Sequence, residues 1–252
     1  MISSTRILSA LSLAALAAAA LARADPAGPI KNVVLVHGAF ADGSGWKAVS
    51  DILSKDGYKV SIVQPPETSL PDDVAATNRV LDAQDGPVVL VGHSYGGIII
   101  TAAGNNAHVK SLVYVAAFQP DTGESLASLG DSLPPASKAI RPSADGFLSL
   151  DPSLFHADFA ADLPAAEADV MAHSQVYVSV KAATAPAESP AWKTKPSFAI
   201  VATKDRAINP DLERKMYKRS HAQTTEVDSS HVVYISQPAA VAAVIEKAAA
   251  TH

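Results

Sequence analysis

The sequence contains no cysteine. Disulfides, thiolate nucleophiles and soft sulfur ligands for metals are therefore excluded. It has no N-x-S/T sequon. It has no basic excess either, with 20 Lys and Arg against 25 Asp and Glu and a formal net charge of -5. No cationic stripe is available to neutralise phosphates, so a nucleic-acid partner is not expected. Aromatic residues make up only 6% of the chain, so an apolar pocket has few large side chains to line it. What remains is a globular composition, 48% hydrophobic and 18% charged over 252 residues, sufficient for one large α/β domain.

The first 24 residues, MISSTRILSALSLAALAAAALARA, stand apart. Arg6 precedes an apolar stretch over 7–22, and Ala22-Arg23-Ala24 ends it in an A-x-A pattern. This is the layout of a secretory signal peptide, with cleavage expected after Ala24. The run is short and alanine-rich for a membrane anchor. The expectation is a periplasmic or secreted protein with no stable membrane span after cleavage. Losing Arg6 and Arg23 would leave the chain more acidic still.

From residue 31 onward, valine-rich runs alternate with helical spacing. Residues 31–37 (KNVVLVH) read as a buried strand, 46–57 as a helix, 58–63 as a second strand and 72–83 as a helix with Pro71 near its start. Residues 87–91 form a third strand, 98–105 a helix and 109–116 a fourth strand. Alternation of this kind predicts a doubly wound, mostly parallel sheet. It stops at 118–196, a stretch dense in Pro, Ala, Ser and Asp. An unstructured loop of that length does not suit a compact domain. Residues 120–195 are therefore expected to form an inserted helical cap, with one helix over 163–180, between core segments 25–119 and 196–252. The core resumes with a strand at 197–202, a helix at 209–220, a short strand at 223–227 and a closing helix at 238–250.

Chemistry is concentrated at Gly92-His93-Ser94-Tyr95-Gly96, a G-x-S-x-G between a strand and a helix. Such a turn strains the serine backbone and exposes Oγ at the end of the strand. Side chains at 92 and 96 would collide across it, and Gly97 lets the helix approach a neighbouring strand. A helix-capping serine is the plain alternative. A serine hydroxyl needs a base, and the base needs an orienting acid, in the chain order Ser, acid, His. Asp205, after the strand at 197–202, and His231, in Asp228-Ser229-Ser230-His231, occupy those places. Asp121, after the fourth strand, is the rival acid. His93 reads as structural, and His37 as a histidine bonded to loop backbone. An oxyanion needs two backbone N–H groups. Tyr95, next to the nucleophile, and Ala39, in the loop after the first strand, are the candidates.

These residues carry a resemblance to the α/β-hydrolase superfamily. The stretches VLVHGAFADGSGW, LVGHSYGG, LVYVAAFQPD, IVATKDRAI and SSHVVYISQP follow one another in the superfamily's order. More narrowly, the chain resembles the small capped branch of plant methylesterases and hydroxynitrile lyases, with related bacterial esterases. The lyases resemble V-L-I-H-T at the first strand and carry a lysine directly after the catalytic histidine. Here those positions are Gly38 and Val232, which favours ester hydrolysis. Ser94 also separates the chain from relatives that use an aspartate nucleophile.

The reading is a serine carboxylesterase acting on small-molecule esters, with Ser94, Asp205 and His231 as triad and no metal or other cofactor. The same triad serves cofactor-free haloperoxidases and carbon–carbon bond hydrolases, and a non-catalytic ligand-binding protein is a further alternative. Phe40, Phe155 and Phe159 are the candidate substrate-binding residues. Phe147, Leu154 and Val176 are expected in the same wall, with Phe40 and the Tyr95 side chain opposite. Pocket size is expected to suit short or medium acyl groups.

Overall fold

The computed structural model describes Gly28 and residues 30–251, so the expected signal segment lies outside the described residues. Strand β1 (Asn32–Val36) leads through a 3-10 turn at Gly43–Trp46 into α1 (Lys47–Lys55) and then β2 (Lys59–Val63). Helix α2 (Leu70–Asp82) starts where the Ser69 hydroxyl accepts the Asp72 N–H and Pro71 presets the first turn. Strand β3 (Val88–Ser94), α3 (Gly96–Ala103) and β4 (Val109–Ala117) follow. The chain then leaves the sheet through α4 (Leu126–Ser132), the strands β5 (Ile140–Pro142) and β6 (Phe147–Leu150), α5 (Pro152–Phe159), α6 (Ala165–His173), β7 (Val178–Ser179) and α7 (Val180–Thr184). It returns with β8 (Ser197–Ala202), α8 (Pro210–Arg219), β9 (Gln223–Val227), α9 (Val233–Ser236) and α10 (Pro238–Ala250).

The main sheet has the order β2-β1-β3-β4-β8-β9, and every neighbouring pair is parallel. Helices cover both faces, so the central strands are apolar on both sides rather than alternating. Val33, Leu35, Val89, Val91, Val113 and Val115 face α1 and α10. Val34, Val36, Leu90, Leu112 and Tyr114 face α2, α3 and α8. Each fully buried Val, Leu or Ile contributes roughly 1.5–3 kcal/mol. The edge strand β9 (QTTEV) is mostly exposed and polar, which discourages further strand pairing.

The chain steps outward from β1 to β2, then returns to place β3 on the other side of β1. The order reverses between β1 and β3, and in open α/β sheets that crevice, at the carboxyl ends of the strands, receives ligands. His37, Gly38 and Ala39 follow β1 there, and Ser94 closes β3.

The segment between β4 and β8 departs from the expected set of helices. It holds a small antiparallel sheet, β5-β6-β7, beside α4 to α7. The helix expected over 163–180 ends at His173. Gln175 ends it by bonding the backbone of β6: its Oε1 accepts the Leu150 N–H at 2.8 Å and its Nε2 donates to Leu150 O at 2.9 Å. The following residues extend, and Val178 and Ser179 pair with β6. Among the described residues no helix is long and apolar enough to cross a membrane.

Candidate active site

Ser94 has φ of 53°, a left-handed backbone that L-residues adopt at a cost. The neighbouring strand accommodates the turn with a bulge: Ala116 has φ of 42°, and Ser94 pairs with Ala117 instead of Ala116. The glycines around the serine are steric necessities. A Cβ on Gly92 would lie 2.5 Å from Gly96 O, and one on Gly96 would lie 2.6 Å from His37 O. One on Gly97 would strike the carbonyl of Phe118, just past β4. A Cβ on Gly38 would meet Ser94 Cβ at 2.5 Å and Tyr95 N at 3.1 Å, so the loop after β1 lies against the serine.

His231 and Asp205 meet although they are 26 residues apart. His231 Nδ1 donates to Asp205 Oδ2 at 2.5 Å, and both residues are buried. The second carboxylate oxygen of Asp205 accepts the N–H groups of Ala207 at 2.7 Å and Ile208 at 2.9 Å. With Nδ1–H committed to the carboxylate, His231 Nε2 is the basic atom of the ring, and it has no hydrogen-bond partner among the described residues. Ser94 Oγ is not hydrogen-bonded to it.

His93 Nε2 donates to the backbone oxygen of His231 at 3.0 Å, and the two rings lie 4.6 Å apart. His93 thus ties the His231 loop to the residue beside Ser94. Burial, and then the nearby His231, hold its imidazole well below the usual range, so it is neutral. Behind Asp205 lies Glu213, wholly buried on α8, whose Oε2 accepts the Ala202 N–H at 3.3 Å. Burial first and the charge of Asp205 second push Glu213 well above the carboxyl range. Asp121 lies elsewhere, in an ion pair with Lys193, and does not meet His231.

Phe159 is 1% exposed, and its ring lies 4.7 Å from that of His231. Phe40 packs edge-on to Phe159 at 6.4 Å, its own backbone at φ 66° and its N–H donated to Val176 O. Phe155 is fully buried and packs on Phe159 at 4.8 Å, behind it in the core. A cavity of about 540 Å³ opens beyond Phe40, between the start of α1 and α6, with Gly45, Glu167, Val170, Met171 and Tyr234 among its lining. Neither Ser94 nor His231 lines it. Among the expected wall residues only Phe40 does; Phe147, Leu154, Phe155, Phe159 and Val176 do not. Contrary to the expectation from sequence, the Tyr95 side chain does not close the pocket opposite them. Its hydroxyl donates to Asp73 Oδ2 at 2.7 Å, in the core between the sheet and α2, because the residue opens α3 on the α2 side of the sheet. Ala39 and Tyr95 are buried, and among the described residues neither N–H is donated to another protein group.

Two residues that sequence reasoning passed over fasten the Asp205 and His231 loops. Asp158, near the end of α5, accepts from Arg206 Nε and Ser137 Oγ, each at 2.8 Å. Asp162 accepts the Ser230 N–H at 2.9 Å and the Ser229 hydroxyl at 2.7 Å, and bonds the Ser230 hydroxyl as well. Arg206 directly follows Asp205, and Ser230 directly precedes His231. The i, i+4 spacing of the two acids was visible, but nothing local said what they would face. Asp73 had a legible signal: with Leu70, Thr77 and Leu81 it forms the buried stripe of α2.

Among the described residues no group of three or more His, Asp or Glu could hold a metal ion. Residues 33–244 match the alpha/beta hydrolase family. A carbendazim-hydrolysing esterase of Nocardioides sp. (strain SG-4G) is 35% identical over 121 residues, 41% of this chain and 49% of that one. The chain thus matches about half the length of that relative. The pyrethroid hydrolase of Sphingobium faniae JZ-2 superposes with a TM-score of 0.75 at 22% identity, covering 88% of this chain and 98% of that one. Polyneuridine aldehyde esterase superposes with a TM-score of 0.75 at 18% identity, covering 86% and 98%. The strained serine turn, the order of the sheet and the family match over nearly all of the described chain lead to one statement: this chain is an enzyme of the alpha/beta hydrolase family.

Proposed function

We propose that the protein hydrolyses small carboxylic esters through a covalent acyl-enzyme on Ser94. The observation that carries this reading is the buried His231–Asp205 pair, 2.5 Å between Nδ1 and Oδ2, on the loops that flank the strained Ser94 turn. Ser94 Oγ attacks the ester carbonyl and passes its proton to His231 Nε2. Asp205 keeps the proton of Nδ1 in place, so the ring stays in the tautomer that can accept at Nε2, and it stabilises the imidazolium that results. The charge on the former carbonyl oxygen falls to the N–H groups of Ala39 and Tyr95. Losing one such donor typically costs ~3 kcal/mol. The tetrahedral intermediate collapses, His231 protonates the departing alcohol, and water repeats the two steps on the acyl-serine.

We assign residues 120–195 to a cap over the carboxyl edge of the sheet. Phe159 supplies its apolar cover on His231, and a site shielded from water strengthens the oxyanion interactions. Phe40 and Phe159 bind substrate, with Phe155 backing Phe159 rather than touching it. The esterase and hydrolase activities named for the related proteins support ester chemistry. The few aromatics and the enclosing rings support short or medium acyl groups. We further propose export, with cleavage after Ala24, on the strength of the leader composition. N-terminal sequencing of protein recovered from the periplasm or medium tests that.

The test of function is fluorophosphonate labelling with peptide mapping, followed by specificity constants on p-nitrophenyl esters from acetate to palmitate. Label on Ser94 and an optimum at short or medium chains are expected. Label elsewhere, or none, would remove the serine mechanism, and an optimum at palmitate would remove the small pocket.

A further inference from the structure

A buried polar cluster that takes no part in the mechanism above lies beneath the oxyanion loop. It comprises His37, Glu67, Asp73 and Tyr95, each fully or almost fully buried. Asp73, on α2, receives two short hydrogen bonds. Its Oδ1 accepts the Glu67 N–H at 2.7 Å, and its Oδ2 accepts the Tyr95 hydroxyl at 2.7 Å. Glu67 holds a left-handed backbone, φ 58°, and its carbonyl accepts the N–H of Ser179 at 2.9 Å. Its carboxyl Oε1 lies 3.5 Å from His37 Nδ1, and His37 Nδ1 lies 3.1 Å from Gly38 O. A carbonyl oxygen can only accept, so Nδ1 carries the hydrogen and donates to Gly38 O. The Glu67 oxygen beside that nitrogen favours the same tautomer.

The consequence follows from the planarity of one peptide. Gly38 C=O and Ala39 N–H belong to the same trans unit and point in opposite directions. Holding the carbonyl on His37 therefore aims the Ala39 N–H away from His37. A Cβ on Gly38 would collide with Ser94 Cβ and crowd the Tyr95 nitrogen, so that unit borders the serine. Tyr95, the other donor, is tethered to Asp73 by its own side chain. The two N–H groups come from segments 56 residues apart, and both are tied to one short stretch of chain, residues 67–73.

We propose that Asp73 is a positioning residue that brackets the two oxyanion donors into a single frame, with Tyr95 Oη tied to it directly and Glu67 linking it to the His37–Gly38 side. The centre of the bracket is satisfied, since both carboxyl oxygens of Asp73 accept a hydrogen bond, and such bonds in a dry core rigidify the groups they join; the Glu67 carboxyl oxygens make none and meet His37 only at 3.5 Å. It also accounts for two costly features outside the triad, the strained Glu67 backbone and the carboxylate of Asp73 in a dry core. The proposal rests on the serine-esterase reading, because the donors have work to do only if an oxyanion forms on a Ser94 adduct.

The test uses full-length protein and four variants: Tyr95→Phe, Asp73→Ala, Asp73→Asn and Ser94→Ala. For each, kcat and KM on p-nitrophenyl acetate, Ki for an aryl trifluoromethyl ketone and the melting temperature are measured. The ketone forms a hemiketal oxyanion on the serine and so reports on the donors directly. Tyr95→Phe deletes one oxygen and leaves the ring packing. It is expected to lower kcat by about 10-fold with KM within about twofold, and to raise the ketone Ki by about the same factor, since oxyanion donors act on the transition state. Asp73→Ala is expected to lose more. Asp73→Asn should recover part of that loss, because its oxygen can accept from Glu67 N–H while its amide donates to Tyr95 Oη. A folded Tyr95→Phe protein with kcat and Ki within twofold of the parent would overturn the bracket, as would a fall in kcat with no change in Ki. If Asp73→Ala does not fold, Tyr95→Phe decides the matter alone, and an unfolded Tyr95→Phe would make the tether a requirement of the fold and also overturn the proposal. Ser94→Ala separates the two levels. Retained activity there would sink the esterase reading itself, whereas an inactive Ser94→Ala beside a normal Tyr95→Phe would sink the bracket only.

Discussion

On one side of Ser94, the loops bearing Asp205 and His231 are fastened by carboxylates reaching from the segment between β4 and β8; on the other, the loop after β1 rests on a dry cluster inside the core. The first set of contacts touches solvent. The Arg206 side chain that binds Asp158 is 49% exposed, while Glu67 and Asp73 are at 0%. Exposed ion pairs gain little and are weakened by salt. Buried polar groups left without a partner cost their full desolvation. On the function proposed above, the acid–base side is therefore the more adjustable one, able to loosen if the inserted segment shifts, and the proposed oxyanion side the more firmly held. The same proposal implies that the segment between β4 and β8 can vary without disturbing the proposed donors.

The largest blow to the adjustable side falls on the acid itself. Asp205→Asn should lower kcat on p-nitrophenyl acetate by about 10³–10⁴-fold, the scale seen when a triad acid no longer enforces the tautomer. Asp121→Asn should stay within about twofold, since Asp121 is paired with Lys193 away from His231. A severe loss in the Asp121 variant alone would reassign the acid. Next comes Phe159→Ala, which uncovers the His231 ring. Truncating a buried Phe typically costs 3–5 kcal/mol, so a clear drop in melting temperature is expected along with about a 10-fold loss of kcat. An unchanged kcat would mean that the ring packs the core without shielding the base.

Asp162→Ala should be milder, a few-fold in kcat, and should lower the salt sensitivity of the rate, because it removes the charged member of the contact that holds Ser229 and Ser230. Equal salt dependence in parent and variant would count against the two-sided picture. The smallest effect is a difference in pH response. Burial alone would raise Asp162, yet its bonds to Ser230 and Ser229 bring it below the usual carboxyl range. The unfolded chain then binds the proton more tightly, so this stabilisation is present above about pH 4 and fades below it. Asp73 has the opposite sign. Burial is the largest cause of its rise to about 6, against the opposing bonds from Tyr95 and Glu67. The folded state binds that proton more tightly, so stability falls as pH rises from about 4 to about 6 and then levels. Melting curves of Asp73→Asn and Asp162→Asn against the parent should therefore diverge in opposite directions, in different windows. Parallel curves would erase the distinction.

Much of the sheet was legible because a strand buried on both faces announces itself as a nearly continuous apolar run, as in 32–36 and 197–202. The Ser94 turn was legible because glycine is demanded by contacts only four residues apart, Gly92 against Gly96. The segment after β4 was less so. Its strands are two to four residues long, and the helix expected over 163–180 stops because Gln175 finds the backbone of Leu150. Nothing within 163–180 carries that information.

The sequence by itself therefore determined the alternation of strand and helix, the serine between its glycines, and the order in which serine, acid and histidine are met. These are local or periodic properties, set by sterics and by burial of successive side chains. Only the tertiary structure decided that Asp205 rather than Asp121 meets His231, that Phe159 covers that ring while Phe155 stands behind it, and that Tyr95 turns its hydroxyl away from the pocket to Asp73. Each of those outcomes depends on a contact between side chains more than 20 residues apart or on which face of the sheet a residue enters, and the chain acquires both only when β1, β3, β4 and β8 lie side by side.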